Sequence, residues 1–299
     1  DAAWDRRDHG LTGANRYSVD YSILGGSKVE PVLREIRNEM YRAGMTVESA
    51  KGECNFGQHE IGFLYDEVLR TCDNHTIYKT GAKEIAARHG QALTFMAKYD
   101  EREGNSCHIH LSLRGTDGEI VFADDDRDGG RSELFDSFLA GVLATMREFS
   151  YFYAPNINSY KRFAAGSFAP TAVAWGTDNR TCSLRVVGHG AGLRVENRVP
   201  GGDVNPYLAV AAMLAGGLHG IREGLALEPA CVGNAYVGDY EHVPSTLAQA
   251  RDLLAGSAIA REAFGDEVVD HYVNAADVEL AAFNSAVTDW ERVRGFERL

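Results

Sequence analysis

Two short stretches of the sequence alternate charged with apolar residues, and this alternation constrains the fold more than any other feature. They read "CHIHLSL" at 107–113 and "GLRVENRV" at 192–199. Because side chains of a β-strand point alternately to opposite faces, both stretches predict strands with one apolar and one polar face. The polar faces carry His108, His110 and Ser112 in the first strand, and Arg194, Glu196 and Arg198 in the second. We therefore expect a sheet that buries one side and gathers charge on the other.

Further charged residues suggest what this polar face does. On its strand face Glu196 lies between two guanidinium groups, which favours the ionised carboxylate. Glu53 and Glu60 bracket the glycine turn in "GECNFGQHEIGF", where two carboxylates could reach one hard divalent cation. Arginine suits bidentate contact with phosphate or carboxylate. Three more arginines lie in the same third of the chain, namely Arg162, Arg180 and Arg185. The combination indicates metal-assisted phosphoryl transfer.

Each pattern also has a purely structural interpretation. A single His-x-His strand is more often a surface or structural feature than a metal site, and an Arg-Glu-Arg strand is usually a solvated sheet face. Glu53 and Glu60 could equally be exposed carboxylates of a turn. Only the coincidence of all these patterns in one chain favours the functional interpretation.

Composition excludes several classes of protein. The 299 residues are 44% hydrophobic and 24% charged, which is typical of a globular protein with a sizeable core. The net charge of -13 disfavours binding to nucleic acid. Five scattered cysteines without a CxxC pair predict neither a disulfide framework nor a zinc site. No signal peptide and no uninterrupted apolar run of about 20 residues occurs, so we predict a cytoplasmic protein that does not enter a membrane.

The order of expected elements predicts an α+β fold. The first ten residues give no helix or strand signal, and an amphipathic helix should cover 30–44. Strands are expected at 45–53, 59–63, 92–99 and 107–113, and a hairpin turn at "TDG". Ser132 should cap a helix over 133–149, three arginine-bearing strands should follow from Thr171 to Val199, and helices should begin at Pro206 with a break near 233–244.

The motifs of this sequence, in their order along the chain, resemble those of a known family. From about Tyr17 to about Gly224, the chain is similar to the catalytic domain of the glutamine synthetase family. The resemblance rests on these motifs in this order: "VESAKGECNFGQHEIGF", "NSCHIHLSL", "NSYKRF" with "GSFAP", "WGTDNRTCSLRV" and "LRVENRVPGGDVNPYLAVAAMLAGGLHGI". The resemblance implies a glutamine synthetase/guanido kinase-like fold, with a largely antiparallel curved sheet flanked by helices. Residues 1–299 would form a single catalytic domain, and 240–299 its helical C-terminal part.

The resemblance also implies an activity. Members of the family phosphorylate the γ-carboxylate of glutamate with ATP and let an amine displace the phosphate, using two or three Mg²⁺ or Mn²⁺ ions. By matching motifs, Glu53 and Glu60 would bind one metal, and His108 and Glu196 another. Glutamate would contact Arg162, Arg198 and the backbone at Gly104, and Arg180 would stabilise the phosphoryl group in transfer. The ATP phosphates would lie against His110, Ser112, Arg185 and Arg194.

The sequence departs from the family pattern in three places. Family members carry an N-terminal β-grasp domain and a Glu-x-Glu strand ahead of this region; neither is found in the 299 residues, so we expect the chain alone to be inactive. The full protein should form a homo-oligomer, as a dodecameric ring. Glu103 stands where an asparagine is usual. The family loop Pro-Gly-Tyr-Glu-Ala-Pro becomes "AGSFAP", with Phe168 replacing the glutamate that helps to bind ammonium.

Three functions follow as alternatives. Because Phe168 can neither attract ammonium by charge nor accept its proton, the leading prediction is a γ-glutamyl ligase that uses an organic amine, such as a polyamine or ethanolamine. The second is an ordinary glutamine synthetase that uses ammonia. The third is a catalytically inactive paralogue with a structural or regulatory role.

Overall fold

The computed structural model describes residues 11–298, so the expectation for the first ten residues falls outside the described part. Packing divides the chain into two compact units. The first unit comprises the described residues up to Phe95 together with Tyr99–Asn105, and the second comprises Met96–Lys98 and the chain from Ser106 onward. Both mix helices and strands, which confirms the predicted α+β class.

The first unit contains a two-stranded antiparallel hairpin and three helices. In chain order these are α1 (Ile23–Ser27), α2 (Glu30–Arg42), β1 (Val47–Gly52), β2 (His59–Phe63) and α3 (Val68–Arg88). Helix α2 buries Val32, Ile36 and Met40, and Gly44 after it has a left-handed φ of 87°, as expected for a helix that ends there.

Helix α3 was not expected from the sequence. Its 21 residues include several threonines, an aspartate and a glycine, which weaken the helical pattern, and it buries only the small or compact residues Cys72, Ala82, Ile85 and Ala86. A Cβ atom at Gly81 would lie 3.0 Å from Met40 Cε, so glycine permits close packing of α3 on α2. Tertiary contact rather than local propensity stabilises this helix.

The strand predicted at 92–99 is wrong, because residues 91–96 carry no regular secondary structure. Leu93 and Phe95 instead pack against the small core of the first unit. The apolar alternation that suggested a strand therefore reflects burial of a loop.

The second unit is built on a four-stranded sheet. Its strands are β3 (Ile109–Leu111), β4 (Ala172–Thr177), β5 (Cys182–Val187) and β6 (Arg194–Asn197), in the order β3-β6-β5-β4. The pairs β3–β6 and β6–β5 are antiparallel, whereas β5–β4 is parallel. The expected turn at "TDG" also forms, where Gly118 donates to the carbonyl of Gly115 and Arg114 bridges Ile120.

Helices cover the rest of the second unit. They are α4 (Glu133–Thr145), α5 (Ser150–Tyr153), α6 (Pro206–Glu223), α7 (Leu247–Gly256), α8 (Ala258–Phe264), α9 (Asp266–Ser285) and α10 (Asp289–Arg298), with short 3-10 helices at Ile157–Arg162, Gly190–Gly192 and Ala235–Val237. Ser132 caps α4 and Asn205 caps α6, as expected. None of the helices within 11–298 combines the length and apolar character needed to cross a membrane.

Glycines let α4 and α6 pack closely in the core of this unit. A Cβ atom at Gly141 would lie 2.1 Å from the carbonyl oxygen of Gly216 and 2.6 Å from Gly220 Cα. Two helix backbones can approach so closely only where both helices have glycine at the point of contact. Gly141, Gly216 and Gly220 are therefore packing residues.

Candidate active site

Glu196 is the centre of a buried charge cluster on the sheet of the second unit. The register of β6 places it opposite His110 of β3 on one side and opposite Arg185 of β5 on the other. Its side chain is 2% exposed. Arg185 Nη1 donates to Glu196 Oε2 at 2.9 Å, and Arg198 Nη1 donates to Oε1 at 2.8 Å. The expected carboxylate between two guanidinium groups is present.

One of the two arginines differs from the expectation. The strand pattern predicted Arg194 as a neighbour of Glu196, but Arg194 Nε donates to His110 Nδ1 at 3.1 Å and Nη1 donates to the Gly192 carbonyl. Arg185 takes its place, because the antiparallel register of β5 and β6 sets it directly beside Glu196. Sequence spacing alone does not reveal lateral neighbours.

Both histidines of the "CHIHLSL" strand point towards Glu196. His108 Nδ1 lies 3.2 Å and His110 Nε2 lies 3.7 Å from Glu196 Oε1. Burial lowers the pKa of His108 well below its ordinary value, and the charges of Arg198, Arg162 and Arg180 lower it further. The pKa of His110 is also lowered, chiefly by burial. Both rings are therefore neutral at physiological pH and can offer a nitrogen lone pair.

The two arginines expected to bind glutamate are deeply buried. Arg162 is 1% exposed and donates to the backbone carbonyls of Val199 and Arg198 and to Ser106 Oγ. Burial and the charge of Arg198 lower the pKa of Arg162 to about 10, which still leaves it protonated at neutral pH. These bonds bind the guanidinium to the protein itself, so its role towards glutamate stays a prediction.

Arg198 connects the charge cluster to the loop that carries Phe168. Its Nη2 donates to the carbonyl oxygen of Phe168 at 3.4 Å, while its Nη1 binds Glu196. Phe168 is 57% exposed and has a left-handed φ of 57°, which is strained for an aromatic residue. The Tyr236 hydroxyl donates to the carbonyl of the next residue, Ala169, at 2.9 Å. The loop is thus fixed by its backbone and presents the aromatic ring outward.

Two further predicted residues of this unit, Arg180 and Ser112, are exposed. Arg180 is exposed, and its guanidinium forms no hydrogen bond or ion pair within residues 11–298. Ser112 is exposed directly after β3. Arg185 also donates through Nε to Asp178 Oδ1 at 2.9 Å. Sequence reasoning missed Asp178, whose only signal is its position in the Asp-Asn turn before β5.

In the first unit, Glu53 and Glu60 lie close together with Lys51 beside both. Lys51 is paired opposite Glu60 across the hairpin, and its Nζ lies 3.7 Å from Glu60 Oε2 and contacts Glu53 Oε1. Burial raises the pKa of Glu60, and contact with the Glu53 carboxylate raises it further. Burial opposes ionisation of Glu53 too, but bonds to Glu60 and Lys51 leave its pKa below the ordinary value. The hairpin register could have identified Lys51, which the sequence interpretation overlooked.

Gly104 belongs to a backbone segment held by the same hairpin's turn. Gln58 Nε2 donates to the Gly104 carbonyl at 2.9 Å and to Asn105 Oδ1, and Asn55 Nδ2 donates to the carbonyl of Glu103 at 2.8 Å. The Gly104 carbonyl therefore already has a partner within the unit. Its proposed contact with glutamate stays a prediction.

A third acidic neighbour was not anticipated. Asp20 lies with Glu53 and Cys54 in a group whose potential ligand atoms are within 4.8 Å of one another. The Cys54 thiol donates to Asp20 Oδ2 at 3.3 Å, and burial together with Asp20 raises the pKa of Cys54 to about 11. The thiol therefore stays protonated near neutral pH and is a poor metal ligand.

Two groups of residues have the chemistry to hold a divalent cation. In the second unit, Glu196 offers carboxylate oxygens, and His108 Nε2 is a buried nitrogen with no hydrogen-bond partner in the described part of the chain. In the first unit, Glu53 and Glu60 bring two carboxylates together beside a lysine. Carboxylate oxygens suit both Mg²⁺ and Mn²⁺, and a neutral imidazole nitrogen is a common metal ligand. The residues present fit the expected metal ions.

Comparison with known proteins gives consistent results. The sequence matches the family described as "Glutamine synthetase, catalytic domain" over residues 7–294, so the similarity extends well beyond the expected limits of Tyr17 and Gly224. The chain is 66% identical to the gamma-glutamylethanolamide synthetase GlnA4 of Streptomyces coelicolor, over 99% of this chain and 64% of that protein. It is 42% identical to the glutamate--isopropylamine ligase of a Pseudomonas species, over 92% of this chain and 61% of that protein.

Solved structures agree with the sequence comparison. The structure described as "GmaS/ADP complex-Conformation 1" superposes with a TM-score of 0.87 at 30% identity, covering 97% of this chain and 68% of that one. The chain spans less than two thirds of the length of the two curated relatives named above. The catalytic fold, the matched residues and these relatives agree, and the chain belongs to the glutamine synthetase family.

Proposed function

We propose that the protein is an ATP-dependent ligase that joins the γ-carboxylate of glutamate to an organic amine. A γ-carboxylate oxygen attacks the γ-phosphorus of ATP and ADP leaves. The amine nitrogen then attacks the acyl carbon of the γ-glutamyl phosphate, phosphate leaves, and the nitrogen loses a proton. Two relatives whose names specify ethanolamide and isopropylamine products or substrates support this class of acceptor.

The observation that carries the choice of an organic amine is the exposed ring of Phe168 beside the charge cluster. The backbone carbonyl of Phe168 accepts a bond from Arg198, which also donates to Glu196, so the loop that carries the ring is joined to the centre of the site. An aromatic ring offers apolar surface and a cation–π face, which favour a carbon-bearing ammonium over the smaller ammonium ion. The direct test is to compare ethanolamine with ammonium as acceptors.

Enzymes of this family use ATP and divalent metal ions, and we assign two groups of ligands to such ions. Glu53 and Glu60 would hold one, and His108 and Glu196 another. Bound there, Mg²⁺ or Mn²⁺ would neutralise phosphate oxygens during transfer. Arg185, Arg194, His110 and Ser112 would bind the ATP phosphates, and Arg162 and Arg198 would orient glutamate from their buried positions.

Lys51 should limit the metal affinity of the Glu53–Glu60 pair. Its ammonium group contacts oxygens of both carboxylates, so it competes with a divalent ion for the same lone pairs. Lys51→Met is expected to bind Mn²⁺ about tenfold more tightly at this site, a change of about 1.4 kcal/mol. Electron paramagnetic resonance titration with Mn²⁺ measures the affinity. Lys28→Met, which removes an exposed lysine outside the pair, controls for total charge, and equal affinities in the two variants would contradict the prediction.

Arg180 should act on the transition state. Its guanidinium is exposed and free of partners within residues 11–298, as expected for a group that meets the transferring phosphoryl oxygens. Arg180→Ala is expected to lower kcat about 100-fold with little change in KM for ATP or glutamate, because the contact forms only as charge develops. Steady-state kinetics with ethanolamine as acceptor measures both constants. An unchanged kcat would remove Arg180 from the mechanism.

We also propose that the full protein assembles as a homo-oligomeric ring. Large apolar side chains that are at least two-thirds exposed support an interface, since a monomer rarely leaves so many in water. They are Tyr17, Tyr21, Ile23, Leu24, Tyr41 and Tyr65 in the first unit, and Val232, Val237, Trp290 and Phe296 in the second. Analytical ultracentrifugation of the full polypeptide distinguishes a dodecamer from a monomer.

A further inference from the structure

The connection that carries Arg180 is unusually short. Strands β4 and β5 are parallel neighbours, yet only residues 178–181 join them. Parallel strands are ordinarily joined by crossovers of a dozen or more residues. Asp178 at its start has a left-handed φ of 50°, a conformation that costs free energy in any residue other than glycine. A connection under this constraint needs bonds that hold it in place.

The side-chain amide of Asn179 supplies four such bonds. Its Nδ2 donates to the carbonyl oxygens of Gly233 at 2.8 Å and Cys231 at 3.4 Å. Its Oδ1 accepts from the backbone N–H of Thr181 at 3.0 Å and from the Thr181 hydroxyl at 2.7 Å. One end of the amide thus binds the 231–235 segment, and the other binds the residue after Arg180.

The 231–235 segment is itself fixed to the sheet. The backbone N–H of Cys231 donates to the Trp175 carbonyl of β4 at 2.8 Å, and the N–H of Ala235 donates to Thr181 Oγ1 at 2.9 Å. A Cβ atom at Gly176 would lie 2.8 Å from Asn179 Cβ and 3.0 Å from the Cys231 carbonyl oxygen. The amide of Asn179 is therefore packed closely between the edge of the sheet and this segment.

Arg180 has no comparable support of its own. Its guanidinium forms neither a hydrogen bond nor an ion pair in the described part of the chain. Burial is the largest cause of the lowered pKa of His108 and of Arg198, and the charge of Arg180 lowers both further, which places Arg180 in the field of the cluster around Glu196. The direction in which such a side chain extends is set by its backbone, and here the backbone is held on both sides by Asn179.

We propose that Asn179 is a positioning residue for Arg180, because its amide clamps the short connection onto the 231–235 segment and so fixes where the guanidinium meets the transferring phosphoryl group. This inference rests on the proposed function. Preorganised charge is worth most when no rearrangement is needed as the reaction proceeds. A side chain that shifts by about 1 Å loses much of that benefit.

The clamp requires an amide rather than any polar group of the same shape. The Nδ2 group faces two carbonyl oxygens, so it must donate, whereas Oδ1 faces two donors and must accept. Aspartate is almost isosteric but would set a carboxylate oxygen against the carbonyls of Gly233 and Cys231. Asn179→Asp should therefore be as harmful as Asn179→Ala, although it changes the shape least.

The test is a double-mutant cycle in the full polypeptide, with ATP, glutamate and ethanolamine as substrates. Asn179→Ala and Asn179→Asp are expected to lower kcat about 10- to 30-fold, with both KM values within about twofold of wild type. Because Asn179 acts through Arg180, the double variant Asn179→Ala with Arg180→Ala should be no slower than Arg180→Ala alone. Asn274→Ala removes an exposed amide of α9 outside the 231–235 segment, and it should leave kcat unchanged.

The outcomes separate this inference from the proposed function. If Arg180→Ala is slow but Asn179→Ala keeps wild-type kcat, or if the two losses multiply in the double variant, the positioning role is overturned and the role of Arg180 stands. If Arg180→Ala keeps wild-type kcat, both are overturned. Should Asn179→Ala fail to fold, the kcat of Thr181→Val decides between the same outcomes, because this variant removes only the hydroxyl that bonds to Asn179 Oδ1 and Ala235. Thr181→Ser, which keeps that hydroxyl, should retain kcat.

Discussion

Replacing Glu196 with alanine is expected to lower turnover at least about 1,000-fold and the free energy of unfolding by about 3–5 kcal/mol. The rate falls because a proposed metal ligand is lost, and a metal contributes several kcal/mol to transition-state stabilisation. Stability falls because Glu196 is the carboxylate partner of Arg198, which is 3% exposed. Without it, a buried guanidinium remains unpaired. Activity is measured as ADP release and stability by urea denaturation.

The strand pattern alone predicts a smaller loss of stability, because a residue on the polar face of a strand buries little apolar surface. The structure instead shows a carboxylate that accepts bonds from Arg185 and Arg198 in the protein interior. Glu228→Ala, at an exposed glutamate of the same unit, is the matched control. A Glu196→Ala protein as stable and active as that control would contradict both parts of the prediction.

Replacing Phe168 with glutamate is expected to move the ratio of kcat/KM for ethanolamine to that for ammonium by about 100- to 1,000-fold in favour of ammonium. Removing the ring loses burial of about two methylene groups, about 1.6 kcal/mol, and a cation–π contact of about 0.5–2 kcal/mol. The new carboxylate attracts the small ammonium ion and can accept its proton. Together these effects amount to about 3–4 kcal/mol, which gives that change in the ratio.

Two further variants isolate the cause of that change. Phe168→Leu keeps an apolar side chain without a ring face, and Phe168→Gln copies the shape of glutamate without its charge. If the ring and the charge both matter, Phe168→Leu should keep most of the preference for ethanolamine and Phe168→Gln should lose it without gaining ammonium. Since the ring is more than half exposed, it is not a core residue whose loss unfolds the loop. An unchanged acceptor preference in Phe168→Glu would exclude Phe168 as the selective residue.

The sequence predicted the elements whose signals are local. Helix α2 follows its apolar spacing, and α4 and α6 begin at the expected Ser132 and Asn205 caps. The histidines and Glu196 also meet as the alternation predicts, because side-chain direction along a strand is fixed by backbone geometry.

Features that depend on distant parts of the chain could not be predicted in this way. Helix α3 is stabilised by packing on α2, and the apolar segment at 92–99 is a buried loop rather than a strand. Lateral pairing selected Arg185 over Arg194 as the neighbour of Glu196. The bonds of Asn179 to Gly233 and Cys231 join residues more than 50 positions apart, and no local pattern encodes them.

Ligation of glutamate to an organic amine is the function that we propose for the protein. The most direct measurement is ADP release by the full polypeptide that contains these residues, with saturating ATP, Mg²⁺ and glutamate and with either ethanolamine or ammonium as acceptor. We expect kcat/KM for ethanolamine to exceed that for ammonium at least about tenfold, a difference of about 1.4 kcal/mol. A preference for ammonium, or no ADP release with either acceptor, would contradict the proposed function.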